Sequence, residues 1–297
     1  MKNLISRGLR KVSKIVSRNP TIDINFKYFT LRVDASDKGG IIYKNRNSFE
    51  ESQNLFYENL ALTLKPNLII DVGANYGFTG LIFGHKFPNA ELILVEPSPK
   101  LCEYINFNLE NNKIHKYQLL SAFCGEKDSK SSQFSLNPSS SQDNRVYGKK
   151  GWKKIKSRSI TLSKLLENRQ LESSIFIKID TQGFETRVFR GAYNFLDNHE
   201  RWLIKTEFAP DWLKSQGDDA KTLLNELVQK FYVVEVPART RFGRDRLCDL
   251  FKSPLELSEV EGFIDYVENL NKNQLGWVDL YIAPKSKSWL YEDKHYQ

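Results

Sequence analysis

The sequence predicts an α/β fold in which helices lie on both faces of a mostly parallel sheet. Two short runs rich in Ile, Leu and Val, "LIIDV" and "ELILVEP", are bounded by turn residues, as is typical of buried parallel strands. A helical stretch from Phe78 to Lys86 lies between them, and a second one from Pro99 to Asn112 precedes a third predicted strand, "KYQLLSAFCG". Because parallel strands are joined by right-handed crossovers, this β-α-β-α-β pattern indicates half of a doubly wound sheet.

The remaining elements continue the alternation after an interruption from Ser129 to Lys156. That interruption is rich in Ser, Asn, Gly and Lys, which predicts a long loop or a pair of edge strands. The predicted elements that follow are a strand end and helix in "SRSITLSKLLENRQ", a buried strand, loop and helix in "SIFIKIDTQGFETRVFRGAYNFL", a fifth strand in "WLIKTEFAP", a helix from Asp211 to Lys230, a strand in "FYVVEVPA", a basic loop "RTRFGRDR", a helical stretch near Leu257 to Leu270, and a terminal strand in "WVDLYIAP".

Length and composition predict one main domain. The 297 residues are 40% hydrophobic, which suffices for one large α/β domain or two small ones. We expect an N-terminal extension over residues 1–50, the main domain over residues 51–285, and a C-terminal tail over residues 286–297. No run of about 18 apolar residues predicts a membrane-spanning helix. The first residues lack the apolar core and cleavage site of a secretory signal, so we expect a cytoplasmic protein.

The net charge of +8 favours anionic partners, although both signs are interspersed and no aromatic-basic nucleic-acid motif occurs. Basic and apolar residues alternate at nearly helical spacing over residues 1–18. Such a helix can lie on an anionic membrane surface as a peripheral contact, or it can dock on its own domain or fray. The three cysteines, Cys102, Cys124 and Cys248, lack metal-ligand spacing and are interpreted as reduced packing thiols.

The loop "DVGANYG" after the first strand is the leading candidate ligand site. Glycine lets backbone approach a ligand closely, and the following helix offers free N–H groups. A pyrophosphate-binding fingerprint needs G-x-G-x-x-G, but Asn75 stands where the second glycine is required. Asp71 would repel an anionic ligand and attract an ammonium or sulfonium cation. The loop therefore favours S-adenosylmethionine over a dinucleotide.

Further acids follow the other predicted strands. Glu96 ends the second strand 25 residues after Asp71 and can accept hydrogen bonds from ribose hydroxyls. Asp180 ends a later buried strand in "KIDTQGFE", and Glu207 lies in the next one, "KTEF". Ligands of open α/β sheets gather at the carboxyl ends of strands, so we expect these four acids along one edge.

The motifs "IIDVGANYGFTG", "LVEPSP", "SAFCGEKD", "SITLSKLL" and "IFIKIDTQGFETRVFRGA" together resemble the FkbM family of S-adenosylmethionine-dependent methyltransferases. The resemblance runs from about Pro66 to Glu207, in the expected order. It implies a Rossmann-like class I methyltransferase fold: a seven-stranded, mostly parallel sheet whose last strand, supplied by "WVDLYIAP", is antiparallel. It also implies methyl transfer, most often to a hydroxyl oxygen of a sugar or natural product.

The resemblance implies roles for individual residues. The methionine portion of the cofactor would be held by Asp71, Gly73, Ala74, Asn75 and Gly77, the ribose by Glu96, and the adenine would lie beside Ser121 and Ala122. The acceptor would be bordered by Asp180, Gly183 and Glu185. Gln182 departs from the family pattern, where an acid is common, so catalysis would fall to Asp180 or Glu185.

We predict Asp180 as the general base, with Glu207 or Glu185 as its partner, because an alcohol acceptor has a pKa far above neutral. The carboxylates could instead hold Mg²⁺, which is less favoured because no two adjacent acids end a strand. A saccharide hydroxyl is the expected acceptor. A nucleic acid, a lipid-linked or small-molecule acceptor, and a non-catalytic cofactor-binding protein stay open as alternatives.

An anionic acceptor is one alternative, because several arginines occur in the two loops expected beside the acceptor. These arginines either bind an acidic glycan or the phosphate of a nucleotide sugar, or they are exposed to solvent without contacting the acceptor. These residues are Arg145, Arg239, Arg241, Arg244 and Arg246.

Overall fold

The computed structural model describes residues 20–45, 60–61, 63–168, 173–236, 247–270, 276–286 and 289. Its strands are β1 (Thr21–Asn25), β2 (Thr30–Asp34), β3 (Leu68–Val72), β4 (Glu91–Val95), β5 (Tyr117–Leu120), β6 (Ala122–Cys124), β7 (Ser129–Leu136), β8 (Lys153–Ile160), β9 (Ile175–Ile179), β10 (Trp202–Phe208), β11 (Phe231–Glu235) and β12 (Val278–Pro284). Its helices are α1 (Lys38–Ile41), α2 (Phe78–Lys86), α3 (Pro99–Asn111), α4 (Leu162–Leu166), α5 (Glu185–Arg190), α6 (Tyr193–Leu196), α7 (Pro210–Ser215), α8 (Ala220–Lys230), α9 (Leu247–Leu250) and α10 (Val260–Asn269). Short 3₁₀ turns lie at Ile42–Asn45, Ser141–Asp143 and Leu257–Glu259.

The central sheet has seven strands in the order β11-β12-β10-β9-β3-β4-β5. Strands β5, β4, β3, β9 and β10 are parallel, while β12 is antiparallel to both of its neighbours. All five residues of β3 are buried, as expected for a central strand covered on both faces. The predicted fold class is therefore confirmed, including the antiparallel last strand.

Two of the predicted helices begin where the sequence indicates, and their last residues agree with the prediction to within one residue. Helix α2 spans the predicted residues and starts after Gly77, which has a left-handed backbone conformation. Helix α3 starts at Pro99, and its N-terminus is capped by the Ser98 hydroxyl, which accepts a hydrogen bond from the backbone N–H of Leu101. These two helices place the loops after β3 and β4 at the same edge of the sheet.

The predicted helix from Asp211 to Lys230 was wrong as a single element. It is divided into α7 and α8, and Gly217 lies between them at φ +82°. A new helix begins because the Asp219 side chain accepts a hydrogen bond from the backbone N–H of Thr222. A glycine with positive φ interrupts the helical hydrogen bonds, which the apolar periodicity alone did not show.

The predicted third strand is also divided. Its first part, β5, lies at the edge of the central sheet, and its second part, β6, joins a separate three-stranded sheet of order β6-β8-β7. In this sheet β6 and β8 are parallel, and β7 and β8 are antiparallel. The Ser- and Lys-rich stretch from Ser129 to Lys156 thus contains paired strands, whose inner residues Phe134 and Ile155 pack on the core.

A hairpin of β1 and β2 is joined to α3 by two asparagines one helical turn apart. Asn108 accepts a hydrogen bond from the N–H of Arg32 at 2.8 Å and donates to its carbonyl at 3.0 Å. Asn112 makes the same pair of bonds with Thr30, at 2.9 and 2.7 Å. The amides thereby satisfy the backbone groups of β2 as a further strand would. The Asn108 amide also donates to the carbonyl of Tyr76 at 2.9 Å, so it links the hairpin to the loop after β3.

The basic start of the chain, residues 1–18, lies outside the described residues. Within the described ranges, no helix has both the length and the apolar composition that crossing a membrane requires.

Candidate active site

A cavity of about 360 Å³ opens where the parallel strands of the central sheet end. The loops after β3, β4 and β9 line one part of it, and the end of β10 and the beginning of β12 line the other. In open α/β sheets this edge, beside the point where the strand order reverses, is where ligands bind.

The loop after β3 is shaped by residues with positive φ. Gly73 has φ +83°, Asn75 has φ +51° and Gly77 has φ +79°. A Cβ atom on Gly73 would lie 2.0 Å from the backbone oxygen of Asp180, so only glycine fits there. The N–H of Gly73 donates to the Val95 carbonyl at 3.0 Å. The loop is therefore fixed between the ends of β4 and β9. Gly73, Ala74 and Asn75 line the cavity and Gly77 does not, and their contact with a cofactor stays a prediction.

Glu96 is the buried carboxylate beside this loop. Its Oε2 accepts a hydrogen bond from the Asn75 N–H at 3.0 Å, and its Oε1 accepts one from the Ser98 N–H at 2.9 Å. Burial raises the pKa of Glu96 to about 8, although both backbone hydrogen bonds act to lower it. Each carboxylate oxygen has a second lone pair, and Glu96 lines the cavity. The group can therefore accept further hydrogen bonds from two neighbouring hydroxyls.

A row of charged residues crosses the central sheet close to the edge at which the parallel strands end. Asp71 is the lateral partner of Lys178, and Lys178 is the lateral partner of Lys205. The Lys178 Nζ atom lies 3.5 Å from Oδ1 of Asp71, yet neither Asp71 oxygen has a hydrogen bond within the described structure. Burial raises the pKa of Asp71, and the Lys178 charge opposes this rise. Asp71 itself does not line the cavity, whereas both lysines do.

A second row of residues, all acidic, lies closer to that edge of the sheet. Asp180 follows β9, Glu207 lies in β10, and Asp279 of β12 is the lateral partner of Glu207. The Lys205 Nζ atom lies 2.7 Å from Oδ2 of Asp279, and the Lys178 Nζ atom lies 3.2 Å from Oδ2 of Asp180. Three of the predicted acids, Glu96, Asp180 and Glu207, thus line the same cavity.

Asp180 and Glu207 have opposite pKa shifts. Burial acts to raise the pKa of Asp180, but the Lys178 charge and a hydrogen bond from Gln182 bring it below its usual range. The pKa of Glu207 lies well above its usual range because of burial and the nearby negative charge of Asp180. Gln182 Nε2 donates to both groups, at 2.9 Å to Asp180 and 3.3 Å to Glu207. The two shifts therefore run in opposite directions: the surroundings favour the ionised form of Asp180 and the protonated form of Glu207.

Glu185 holds the loop after β9 and does not line the cavity. Its Oε1 accepts hydrogen bonds from the N–H of Thr181 at 2.8 Å and from the Thr181 hydroxyl at 2.9 Å. Burial raises its pKa to about 7. Gly183 in this loop has φ +95°, and a Cβ atom there would lie 2.3 Å from the Trp212 carbonyl oxygen. These contacts favour a positioning role for Glu185 over the predicted catalytic one.

The residues predicted to lie beside the adenine follow β5. Ser121 is exposed and Ala122 is buried, and neither lines the cavity. The next two residues, Phe123 and Cys124, do line it. A contact between Ser121 or Ala122 and the cofactor stays a prediction.

The loop between β7 and β8 covers the loop after β3. The Ser141 hydroxyl donates to Oδ1 of Asn75 at 3.3 Å, and the Ser141 N–H donates to Oδ1 of Asp37 at 2.9 Å. The other oxygen of Asp37 accepts a hydrogen bond from the Tyr76 hydroxyl at 2.7 Å. Asp37 therefore joins the N-terminal segment, the covering loop and the cofactor loop, a role that the sequence did not indicate.

Sequence reasoning also missed Lys178 and Lys205. A signal was present, because Lys178 is the one charged residue of the otherwise apolar run "IFIKI", and buried charges are usually paired. Arg145 lines no part of the cavity: its guanidinium lies 5.6 Å from the Trp152 ring centre and 5.9 Å from that of Trp212. The other four candidate arginines lie outside the described residues. In the described ranges, no group of three His, Cys, Asp or Glu side chains is arranged to hold a metal ion.

The strand order, with its antiparallel seventh strand and a glycine-bearing loop after the first sheet strand of the chain, defines the Rossmann-like fold of the S-adenosylmethionine-dependent methyltransferases. The chain belongs to the FkbM methyltransferase family, since the model of the methyltransferase FkbM domain matches residues 71–234, more than half of the sequence. The resemblance identified from the motifs is confirmed. No curated protein matches the chain.

Similar solved structures are also methyltransferases or cofactor-bound relatives of that fold. One is a precorrin-6y C5,15-methyltransferase from Geobacter metallireducens, with 12% identity, a TM-score of 0.40, and coverage of 78% of this chain and 88% of that one. Another is an O-methyltransferase from Bacillus cereus in complex with SAH, with 11% identity, a TM-score of 0.42, and coverage of 78% and 79%. A third is TYW2 from M. jannaschii in complex with AdoMet, with 8% identity, a TM-score of 0.39, and coverage of 89% and 85%. The assignment rests on the family match and the sheet order.

Proposed function

We propose that the protein is an S-adenosylmethionine-dependent O-methyltransferase whose acceptor is a hydroxyl group of a saccharide. The observation that carries the proposal is the pair formed by Asp180 and Glu207 at the cavity. Both residues line the cavity and share the Gln182 amide, and the pKa shifts favour an acceptor at Asp180 and a hydrogen-bond donor at Glu207. A hydroxyl group needs both, because it donates one hydrogen bond and accepts others.

The charges around the cavity fit a cationic cofactor. Four carboxyl groups lie in the two rows, those of Asp71, Asp180, Glu207 and Asp279, against the two ammonium groups of Lys178 and Lys205. The ion pairs of Lys178 with Asp180 and of Lys205 with Asp279 occupy both ammonium groups, so neither is left to bind a pyrophosphate, whereas a sulfonium or ammonium group would meet carboxyl oxygens.

Within this fit, the loop after β3 would hold the methionine portion and Glu96 would accept hydrogen bonds from the ribose hydroxyls. S-adenosylmethionine, when bound, supplies an electrophilic methyl group on its sulfonium sulfur. The loop that carries Ser141 lines this part of the cavity and contacts Asn75.

In this proposal Asp180 takes the proton of the acceptor hydroxyl, while Glu207 donates a hydrogen bond that orients it. S-adenosylmethionine would supply the methyl group to the hydroxyl oxygen and its sulfur would keep the electron pair of the carbon–sulfur bond, while Asp180 would accept the hydroxyl proton. Most of the acceleration then comes from holding the two reacting atoms in line, with a general base adding about 10²–10⁴-fold.

A nucleic-acid acceptor is less well supported. Base N-methylation usually accompanies a loop of the N/D-P-P-Y/F type after the fourth strand, and here "DTQGF" follows β9. A Mg²⁺-dependent reaction is also less well supported, because the Lys178 ammonium already lies within 3.5 Å of Asp71 and within 3.2 Å of Asp180.

Two measurements test the proposal. Calorimetric titration with S-adenosylmethionine tests cofactor binding, and absence of binding would refute the enzyme assignment. Transfer of labelled methyl groups to glycan, lipid and RNA fractions, with and without a chelator, tests the acceptor and the metal. We expect label in the glycan fraction, and label in RNA or lipid alone would refute the saccharide acceptor.

We also propose a cytoplasmic location with peripheral membrane contact through residues 1–18. Cell fractionation of the full chain and of a chain starting at residue 20 tests this. Equal partition of both chains into the soluble fraction would contradict the membrane contact.

A further inference from the structure

The strand order divides the cavity into two halves. The residues expected to hold the cofactor follow β3 and β4, whereas β10 and β12 border the opposite half. Because β12 is antiparallel to β10, its beginning lies beside the end of β10, where Phe208 is the lateral partner of Val278. Asp180, after β9, lies between the halves.

Two tryptophans line the half beside β10 and β12. Trp212 belongs to α7, directly after β10, and Trp277 directly precedes β12. Trp277 is 43% exposed although it lines a cavity. Leaving a large apolar ring accessible has a cost in water, which a ligand packed against it would remove.

Polar groups lie next to the exposed indole on the same strand. Asp279 is two residues after Trp277, and both residues line the cavity. The ion pair of Asp279 with Lys205 lies at this end of the cavity, beside Glu207. It offers the N–H groups of one ammonium and the oxygens of one carboxylate. An apolar ring beside donors and acceptors matches a pyranose, which has an apolar C–H face and hydroxyl groups at its rim.

We propose that Trp277 is the platform on which the sugar ring of the acceptor stacks, with the Lys205–Asp279 pair binding hydroxyl groups at the ring edge. The inference rests on the proposed function and narrows it: the acceptor is a pyranose presented by its C–H face. It assigns Trp277 as a residue that determines acceptor specificity and has no part in cofactor binding.

Binding is tested separately from turnover by saturation-transfer difference NMR. The probes are methyl pyranosides of glucose, galactose, mannose and fucose, added to the wild-type protein with S-adenosylhomocysteine. We expect saturation of the ring C–H protons of at least one pyranoside, and a loss of this signal in Trp277→Ala. Absence of saturation from every pyranoside, or an undiminished signal in Trp277→Ala, overturns the inference.

Kinetics on the pyranoside that binds give the second readout. Trp277→Ala should raise KM for the pyranoside about tenfold with little change in kcat, and Trp277→Phe should recover part of the loss. Tyr266→Ala is the matched control, because Tyr266 is 45% exposed and lines no part of the cavity. A KM sensitive to Trp277 only for phenolic acceptors would overturn the sugar assignment.

The two proposals fail differently. A wild-type protein that does not bind S-adenosylhomocysteine refutes the proposed function. A protein that binds S-adenosylhomocysteine and methylates saccharides, but with the same KM in Trp277→Ala, refutes the platform alone.

Discussion

Gln182 donates a hydrogen bond from Nε2 to Oδ1 of Asp180 across 2.9 Å, although its backbone must adopt φ +58° to do so. Residues other than glycine rarely adopt such a conformation, and it costs about 1–3 kcal/mol where it occurs. This hydrogen bond is one of the contacts that lower the pKa of Asp180. Gln182 therefore helps to keep the proposed base ionised.

Replacing Gln182 should move the pH dependence of the reaction. In Gln182→Ala the hydrogen bond is lost, and in Gln182→Glu a negative charge is added, so both changes raise the pKa of Asp180. Because the ionised form is required, the acidic limb of the pH–rate profile should move upward by about half to one pH unit. Profiles of kcat/KM measure this shift. Gln133→Ala, at an exposed position of β7, is the control, and an unmoved acidic limb in both variants would contradict the role of Gln182.

Gly73→Ala should abolish cofactor binding. The new Cβ atom would lie 2.0 Å from the Asp180 carbonyl oxygen, which forces apart the loops after β3 and β9. Gly217→Ala is the matched control, since Gly217 has nearly the same φ and nothing within 4 Å of the new atom. We expect the control to lose about 1–2 kcal/mol of unfolding free energy and to bind S-adenosylhomocysteine normally.

Denaturant unfolding and calorimetric titration of both variants separate strain from the clash. Equal loss of binding in Gly73→Ala and Gly217→Ala would show that the left-handed conformation, and not the close approach to Asp180, is what matters.

Cofactor binding should release a proton from Glu96. The pKa of this group is about 8, so it is largely protonated at pH 7, while hydrogen bonds from ribose hydroxyls favour the ionised form. Affinity for S-adenosylhomocysteine should therefore rise with pH until about pH 8. Titrations in buffers of different ionisation enthalpy measure the protons released. Glu96→Gln should lose this part of the release and bind at least tenfold more weakly, whereas Glu110→Gln, on the exposed side of α3, should match the wild type.

Glu185 can be tested by a variant that keeps its hydrogen bonds. The side-chain oxygen of Glu185→Gln can still accept from the N–H and hydroxyl of Thr181, whereas Glu185→Ala leaves both donors without that acceptor. A positioning role predicts that the Gln variant keeps kcat within about tenfold and that the Ala variant loses about 10²-fold or more. If Glu185 is instead the general base, both variants will lose activity equally.

Most of the fold could be predicted from the sequence, because buried parallel strands leave clear apolar runs. The runs at β3, β4, β9, β10 and β12 were all recognised, and α2 was predicted to its last residue. The break between α7 and α8 at Gly217 could not be predicted, because the apolar periodicity continues through it. The change of sheet after β5 was not predicted either, because partners on other strands determine it.

The acids of the site were predictable for a topological reason. Residues that end parallel strands meet at one edge, so Glu96, Asp180 and Glu207 could be placed together without a structure. The orientation of each side chain could not be predicted in this way. Glu185, for example, points into its own loop, where it accepts a hydrogen bond from Thr181. The contact of Asp37 with Ser141 was also hidden, because it joins residues 104 positions apart.

The most direct test of the central claim is methyl transfer by Asp180→Asn under single-turnover conditions. Asparagine keeps the size of the side chain but cannot take the hydroxyl proton. The wild type should transfer the labelled methyl group to a saccharide as a methyl ether. Asp180→Asn should bind S-adenosylhomocysteine with unchanged affinity and transfer the methyl group about 10²–10⁴-fold more slowly. Transfer at the wild-type rate by Asp180→Asn would contradict the account.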